Sequence, residues 1–307
     1  MSIYSRVLDK IITYKFRLPL YLICRDPFGR LLPDKEFLKC KYYMYFGKKL
    51  DLDNPKSFNE KMQWLKLYHR KPVFTKMADK IDAKEYIAKT IGPEYVVPLI
   101  NKWDRFDEID FDTLPNQFVL KTTHGCGGMV VCKNKASFDF HRAKQILTKT
   151  FNDNYYFQGR EWPYKNIKPR ILAEEFLQNK NDDVLNVFKI FNCSGNPTVI
   201  QVIQNDKTPE ETIDYFDTEW NKLDLYQTFP NSDSPVEKPE TLQEMLILAR
   251  KLSAGFPFLR TDFYEVNGKV FFSEFTFYSD DGFAPFHPEE WDRKLGELID
   301  LDIAKEG

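Results

Sequence analysis

The densest chemistry in the sequence lies between Phe118 and Cys132, which reads Phe-Val-Leu-Lys-Thr-Thr-His-Gly-Cys-Gly-Gly-Met-Val-Val-Cys. Two apolar runs, Phe118–Leu120 and Met129–Cys132, flank a loop with three glycines. Apolar runs of this length bounded by glycine predict strands. Lys121 stands at the loop entrance, next to the hydroxyls of Thr122 and Thr123. Gly125, Gly127 and Gly128 let the backbone turn its N–H groups toward an anion and let that anion come close. His124 can contact a phosphate or simply turn the loop, and Cys126 reads as a small loop residue. The pattern is that of a phosphate-gripping loop between two strands; a glycine-rich hairpin without a ligand has the same signature. It is not the strand–GxxxxGK[ST]–helix loop, because the lysine precedes the glycines and a strand follows them.

Further along the chain are groups that could complete a phosphate site. The apolar run Ile171–Leu177 carries Glu174 and Glu175, Arg260-Thr-Asp262 is followed by Glu274, and Lys80 follows Asp79. Carboxylates can hold Mg²⁺, which takes hard oxygen ligands and bridges phosphates. An arginine can meet a transferred phosphoryl group. The bland readings are a solvated helix lysine for Lys80 and strand-end surface charges for the glutamates. Residues 154–170 interleave aromatic and basic side chains, among them Arg160, Lys165 and Arg170. Such a stretch can hold an anionic sugar or nucleotide, or it can be an ordered loop packed on a lobe. His69, His141 and His287 are scattered singly, and no histidine or cysteine nucleophile pattern is visible.

These groups need elements to position them. The chain has 307 residues, a net charge of −2 and 42% hydrophobic residues, enough apolar mass for two lobes. The near-neutral balance argues against bulk nucleic-acid binding. Five cysteines without a CxxC pair, and no signal-like apolar stretch at the start, predict free thiols in a reducing cytoplasm. Residues 1–50 are basic and aromatic, and Met1–Lys15 has apolar residues at helical spacing, which suits a helix packed on the body or one touching a membrane surface or partner. Ser57-Phe-Asn-Glu60 and Thr241-Leu-Gln-Glu244 read as capping boxes. A helix is expected over Ala78–Lys89, a short strand at Tyr95–Leu99, and a helix over Phe138–Phe151. Strands are expected at Val184–Phe191 and Thr198–Ile203, and a hairpin from Arg260–Glu265 and Lys269–Thr276.

The hairpin carries the candidate metal ligands, so its loop matters. A two-residue turn at Asn267-Gly268 puts Asp262 and Glu274 on opposite faces, because side chains alternate along a strand. The expectation is therefore a three-residue loop, Val266–Gly268, with Glu265 opposite Lys269 and Asp262 opposite Phe272. A bulge elsewhere would restore the shared face by another route.

The order of these features resembles the ATP-grasp superfamily and, more closely, its TupA-like (teichuronopeptide and polysaccharide biosynthesis) family. The resemblance runs from about residue 15 to 300. It is carried by Asp26-Pro-Phe-Gly-Arg30, Lys56-Ser-Phe-Asn-Glu-Lys-Met-Gln-Trp-Leu65, Phe118–His124, Gly159-Arg-Glu-Trp-Pro163, Pro169–Glu175 and Arg260-Thr-Asp-Phe263. It implies an α+β fold, two lobes clasping ATP, with a helical N-terminal extension (1–50), an N-terminal lobe (51–105), a lid with the glycine loop (106–177) and a C-terminal lobe with the metal hairpin (178–307). It implies that Lys80 and Lys121 contact ATP phosphates, that Thr122, Thr123, His124, Gly125, Gly127 and Gly128 form the lid loop, and that Glu174, Phe176 and Leu177 face the adenine. Asp262 and Glu274 would bind Mg²⁺ and Arg260 would stabilise an acyl phosphate. Many superfamily members carry Asn where Thr276 stands, so Asp280 or Asp281 could substitute for Thr276 as the further ligand.

The implied activity is an ATP-dependent carboxylate–amine ligase acting through an acyl phosphate. It would join an amine to a uronic acid or similar glycan carboxylate in surface-polysaccharide assembly, at the periphery of a membrane-bound machinery. Arg160, Lys165 and Arg170 are the candidates for the sugar or carboxylate side. The alternative is a glycosyltransferase using a nucleotide sugar, with Asp51 and Asp53 or Asn181-Asp-Asp183 as metal ligands. A degenerate, non-catalytic ATP-binding protein is a third class, disfavoured by intact Lys121, Asp262 and Glu274.

Overall fold

The computed structural model describes Cys24 and residues 28–180, 185–206 and 208–305. The expected helix Met1–Lys15, the turn at Asp26-Pro27 and the segment Asn181–Asp183 lie outside the described residues. The principal helices are α1 (Asp34–Phe46), α2 (Phe58–Tyr68), α3 (Pro72–Ala78), α4 (Asp82–Thr90), α5 (Phe140–Phe151), α6 (Leu242–Ser253) and α7 (Glu290–Glu297). The strands are β1 (Leu99–Trp103), β2 (Phe118–Thr122), β3 (Met129–Cys132), β4 (Ile171–Glu175), β5 (Val187–Cys193), β6 (Asn196–Gln204), β7 (Thr212–Phe216), β8 (Phe258–Val266) and β9 (Lys269–Thr276).

They form two antiparallel sheets, of order β1-β4-β2-β3 and β7-β6-β5-β8-β9. With helices packed on both, the architecture is α+β. The five-stranded sheet builds the largest core, where Phe58 of α2 meets Phe258 edge-on at 5.0 Å and Phe286 at 5.4 Å. Truncating such a buried ring costs about 3–5 kcal/mol. The four-stranded sheet has its own core of Phe118, Leu120, Ile171 and Ala173 under Leu147 of α5. Helix α1 docks Phe37, Leu38 and Tyr42 against Leu50, Leu52 and Phe283.

Local signals hold where no tertiary partner competes. The Ser57–Glu60 capping box forms as the sequence dictates. The second one does not. Thr241 turns its N–H and hydroxyl to Glu265, and Glu244 accepts from Tyr95 at 2.7 Å instead. The helix expected over Ala78–Lys89 is broken at Asp79, whose carboxylate accepts from the N–H groups of Ile81 and Asp82 and restarts the chain as α4. Tyr95 closes a 3₁₀ turn, and the strand begins at Leu99. Among the described residues no helix is long and apolar enough to cross a membrane.

Candidate functional site

One row of paired residues crosses the five-stranded sheet. Tyr215 lies opposite Gln201, Gln201 opposite Lys189, Lys189 opposite Asp262, and Asp262 opposite Glu274. Direct cross-strand partners share a face, so this row of polar groups lies on one surface. The expected three-residue hairpin loop is corrected here. Val266 pairs with Lys269 across a two-residue turn, with Asn267 at φ 52° and Gly268 at φ 74°, the left-handed pair that a type I′ turn requires. The face is restored by a bulge: the register shifts between Asp262 and Phe263, leaving Ser273 as the extra residue of β9.

Arg260, two residues before Asp262, points the same way. It grips Asp262 in a bidentate pair, Nε to Oδ1 and Nη2 to Oδ2, both 2.8 Å. Its Nη1 donates to Ser279 Oγ at 3.1 Å, and its Nη2 lies 3.9 Å from Glu274. Lys189 approaches Asp262 at 4.0 Å. Burial pushes the Asp262 carboxyl above the usual range despite Arg260 and Lys189. Burial acts the same way on Glu274, but Lys80, Lys189, Arg260 and Lys121 outweigh it and hold the group below the ordinary value.

This donor set fits a magnesium ion bound mainly through phosphates. Among the described residues no group of three or more His, Cys, Asp or Glu gathers to hold a metal, but Mg²⁺ is commonly held by one or two carboxylates plus substrate phosphates. Asp262 has lone pairs left after Arg260 takes its share, and Glu274 is 42% exposed toward the cleft. Thr276 is paired with Arg260 across the strands and shares the same face. Asp281 is no candidate ligand, because Lys41 and Lys66 hold it at 2.6 and 2.8 Å. Asp280 stays near the pair through Ser279, whose hydroxyl donates to it at 3.1 Å.

The opposite wall comes from the four-stranded sheet and α4. Lys121 donates to Glu174 at 2.8 Å, and Lys84 reaches the other oxygen of Glu174 at 3.1 Å. Burial alone would discharge Lys121, but Glu174 raises its pKa well above the ordinary lysine value. Conversely, burial raises Glu174, and the two ammonium groups bring it below its usual range. The glycine loop closes where the N–H of Thr122 donates to the Gly128 carbonyl at 2.8 Å. A Cβ on Gly128 would meet Thr122 Oγ1 at 2.0 Å and Thr150 Oγ1 at 2.5 Å, so only glycine fits. Gly127 takes φ 85°, with open space around it. Lys80 donates its N–H to the Thr123 carbonyl and its Nζ to the Gly125 carbonyl at 2.8 Å, which ties α4 to the loop.

Lys80, Lys84, Lys121, Glu174 and Glu274 line one cavity together. It adjoins a larger cleft of about 960 Å³, open to solvent, lined by Lys121, Met129, Glu174, Phe176, Leu177, Val187 and Tyr264. The sequence-derived set therefore converges at Lys80, Lys121, Glu174, Phe176, Leu177 and Glu274, with Arg260 and Asp262 beside Glu274.

Other expectations are redirected. His124 is buried edge-on against Phe151 at 5.9 Å, and burial lowers its pKa, so it packs the loop base. Arg160 is 1% exposed and pairs with Asp34 at 3.2 Å. Arg170 is shared between Asp79 and Asp82, both at 2.9 Å. Neither arginine lines the cleft: Arg160 is buried against Asp34, and Arg170 is held between Asp79 and Asp82. Lys165 is exposed over the Tyr156 ring at 4.9 Å. Asp51 caps its own turn by accepting from Asp53 and Asn54, which gives it a structural use in place of the metal role of the glycosyltransferase alternative.

The sequence reading missed Lys84 and Lys189. A lone lysine inside the apolar run Val187–Phe191 was the available signal for Lys189, and the four-residue spacing from Lys80 was that for Lys84, since i and i+4 share a helix face.

A two-sheet α+β frame with a glycine loop on one wall and paired carboxylates on the other is the arrangement of an ATP-grasp fold. The sequence model of the TupA-like ATP-grasp family matches residues 60–300, and the chain belongs to that family. Among curated proteins none matches the chain. Solved structures to which the chain is similar include D-alanine–D-alanine ligase from Helicobacter pylori, at 15% identity and TM-score 0.40, covering 80% of this chain and 70% of that one. The same ligase from Bacillus anthracis, complexed with ATP, has 13% identity and TM-score 0.41 over 75% of this chain and 66% of that one. N5-carboxyaminoimidazole ribonucleotide synthetase from Thermus thermophilus has 10% identity and TM-score 0.37, over 66% of this chain and 45% of that one.

Proposed function

We propose that this chain is an ADP-forming carboxylate–amine ligase that makes an amide through an acyl phosphate. The observation that carries the reading is Glu274, paired with Asp262 and near Arg260, set across one cavity from Lys80 and Lys121. In this reading Lys80, Lys121 and the N–H groups of the glycine loop hold the ATP phosphates, with Lys84 fixing Glu174 and Lys121 in place. Phe176 and Leu177 form the apolar seat for the adenine. Asp262, Glu274 and Thr276 would hold Mg²⁺, which supplies charge neutralisation between the phosphates. Lys189 and Arg260 then meet the transferred phosphoryl group. The substrate carboxylate attacks the γ-phosphorus, ADP leaves, and an amine displaces phosphate from the acyl carbon. The protein's part is positioning and fixed charge.

The substrate class that best suits the family is a uronic acid or similar glycan carboxylate, joined to an amino acid or other amine in surface-polysaccharide assembly. Incubation with MgATP, a set of uronic acids and hydroxylamine tests the mechanism. Hydroxylamine traps an acyl phosphate as a hydroxamate, with ADP and phosphate released. Amide formation accompanied by AMP and pyrophosphate would replace this reading with adenylation, and glycosyl transfer from an added nucleotide sugar, with release of its nucleoside diphosphate, would restore the glycosyltransferase alternative.

A further inference from the structure

The turn of the β8–β9 hairpin is bonded to a distant part of the chain. Asn267 sits there at φ 52°, a left-handed position that asparagine fills readily in a type I′ turn. At a turn, an asparagine side chain commonly bonds its own backbone two residues on. Here both ends of the side-chain amide, and the backbone N–H as well, go to residues 178–180. Asn267 Oδ1 accepts from the N–H of Lys180 at 3.0 Å, and its Nδ2 donates to the carbonyl of Gln178 at 3.2 Å. Its N–H donates to Asn179 Oδ1 at 2.9 Å. One turn residue thus holds three successive residues of another segment.

That segment follows directly on Phe176 and Leu177, which line the larger cleft. On their other side Glu175, the last residue of β4, donates its N–H at 3.1 Å to the carbonyl of Pro98, just before β1. Phe176 and Leu177 are therefore suspended between two fixed points, one at the four-stranded sheet and one at the hairpin turn of the five-stranded sheet. Tyr264, which lines the same cleft, stands three residues before Asn267 on β8. Asp262 lies five residues before Asn267, about 17 Å along an extended strand. One hairpin carries the hold on Phe176 and Leu177 at its turn and the paired carboxylates toward its other end.

We propose that Asn267 is a positioning residue for the nucleotide base, fixing Phe176 and Leu177 relative to the hairpin that bears Asp262 and Glu274. This rests on the ligase reading above, in which Phe176 and Leu177 seat the adenine. Hydrogen bonds at an exposed turn add little to overall stability, because water replaces them when they break. Their effect is to remove freedom from a wall that the base must otherwise order on binding, and such preorganisation appears as affinity. The phosphate contacts of that reading come from Lys80, Lys121 and the glycine loop, which belong to neither the hairpin nor residues 178–180. The hold therefore bears on the base and not on the phosphates.

Asn267→Gly tests this, since glycine keeps the left-handed turn and removes only the side chain. Binding of MgATP is measured by calorimetry, and binding of magnesium tripolyphosphate, which has no base, by displacement of ATP. The variant should bind MgATP about tenfold more weakly, with tripolyphosphate affinity and the thermal midpoint unchanged. Asn179→Ala, which removes the acceptor of the Asn267 N–H, should weaken MgATP in the same selective way. In the protein without nucleotide, the Lys180 N–H should exchange with solvent faster in Asn267→Gly than in wild type. If Asn267→Gly does not fold, Asn267→Asp replaces it, keeping the acceptor for Lys180 and losing the donor to Gln178. Unchanged MgATP affinity, or an equal fall for MgATP and tripolyphosphate, overturns the role of Asn267 and leaves the ligase reading standing. Unaltered Lys180 exchange overturns the hold on residues 178–180 whether or not ATP binds. Wild-type protein that binds no MgATP refutes the ligase reading itself, and the positioning of a base falls with it.

Discussion

Asp262 lies directly opposite Glu274 across the β8–β9 pair, although a two-residue turn closes the hairpin. Pairing outward from Val266 and Lys269 would set Asp262 against Ser273. The bulge at Ser273 moves the pairing on by one, and every later residue of β9 changes face. Glu274 and Thr276 thereby join Arg260 and Asp262 on the cleft surface. The device costs one unpaired residue and keeps both the tight turn and the shared carboxylate face.

Glu274→Gln should leave the fold intact, since the Glu274 side chain is 42% exposed and its nearest cation contact, to Arg260, is 3.9 Å long. ATP turnover should fall on the order of 10²-fold, the scale for losing an electrostatic stabiliser, and should need more magnesium for half-maximal rate. Steady-state ADP release across a magnesium titration reads both. An unchanged magnesium dependence would remove Glu274 from the metal set.

Lys121→Met keeps the apolar stem and removes the charge. Turnover should drop about 10²-fold or more. Glu174 would keep Lys84 at 3.1 Å, so the buried carboxylate retains one partner. The stability loss should therefore stay under the roughly 3–5 kcal/mol typical of orphaning a buried ion. Urea unfolding of Lys121→Met beside a Lys84→Met, Lys121→Met double variant checks this, the double variant being much the less stable.

Gly128→Ala and Gly127→Ala should differ in kind. At Gly128 a methyl group collides with two threonine hydroxyls, so the loop cannot close as it does. At Gly127 the methyl has room, and only the backbone at φ 85° is strained. Affinity for ATP, measured calorimetrically, should be lost in Gly128→Ala and weakened only several-fold in Gly127→Ala.

Protonation of His69 should cost stability as the pH falls. His69 is buried against Phe74 at 4.8 Å, Nε2 has no partner among the described residues, and burial depresses its pKa to about 4. The unfolded chain takes up this proton near pH 6.5, the folded one only near 4. The His69 contribution to stability is therefore full above pH 6.5 and falls by about 1.4 kcal/mol per pH unit as the pH drops toward 4. His69→Gln should flatten the dependence of the urea midpoint in that window; an unaltered slope would assign it to other groups.

Elements whose signals are local were legible in the chain alone. The strands around the glycine loop, the Ser57 capping box and the Arg260-Thr-Asp262 spacing follow from neighbouring residues, and the motif order was enough for the family. The folded arrangement settled which charges are available for chemistry. Arg160 and Arg170 look like substrate cations in the chain, yet Asp34, Asp79 and Asp82 claim them, because the buried members of these pairs, Arg160 and Asp79, are costly to leave without an opposite charge. Thr241 fails to cap through Glu244 because Glu265 is nearer in space. Lys189 enters the site only because β5 is placed beside β8, and Glu274 only because β9 bulges. Periodicity cannot foretell a bulge, since one inserted residue leaves the local pattern intact and changes only which face each later side chain meets.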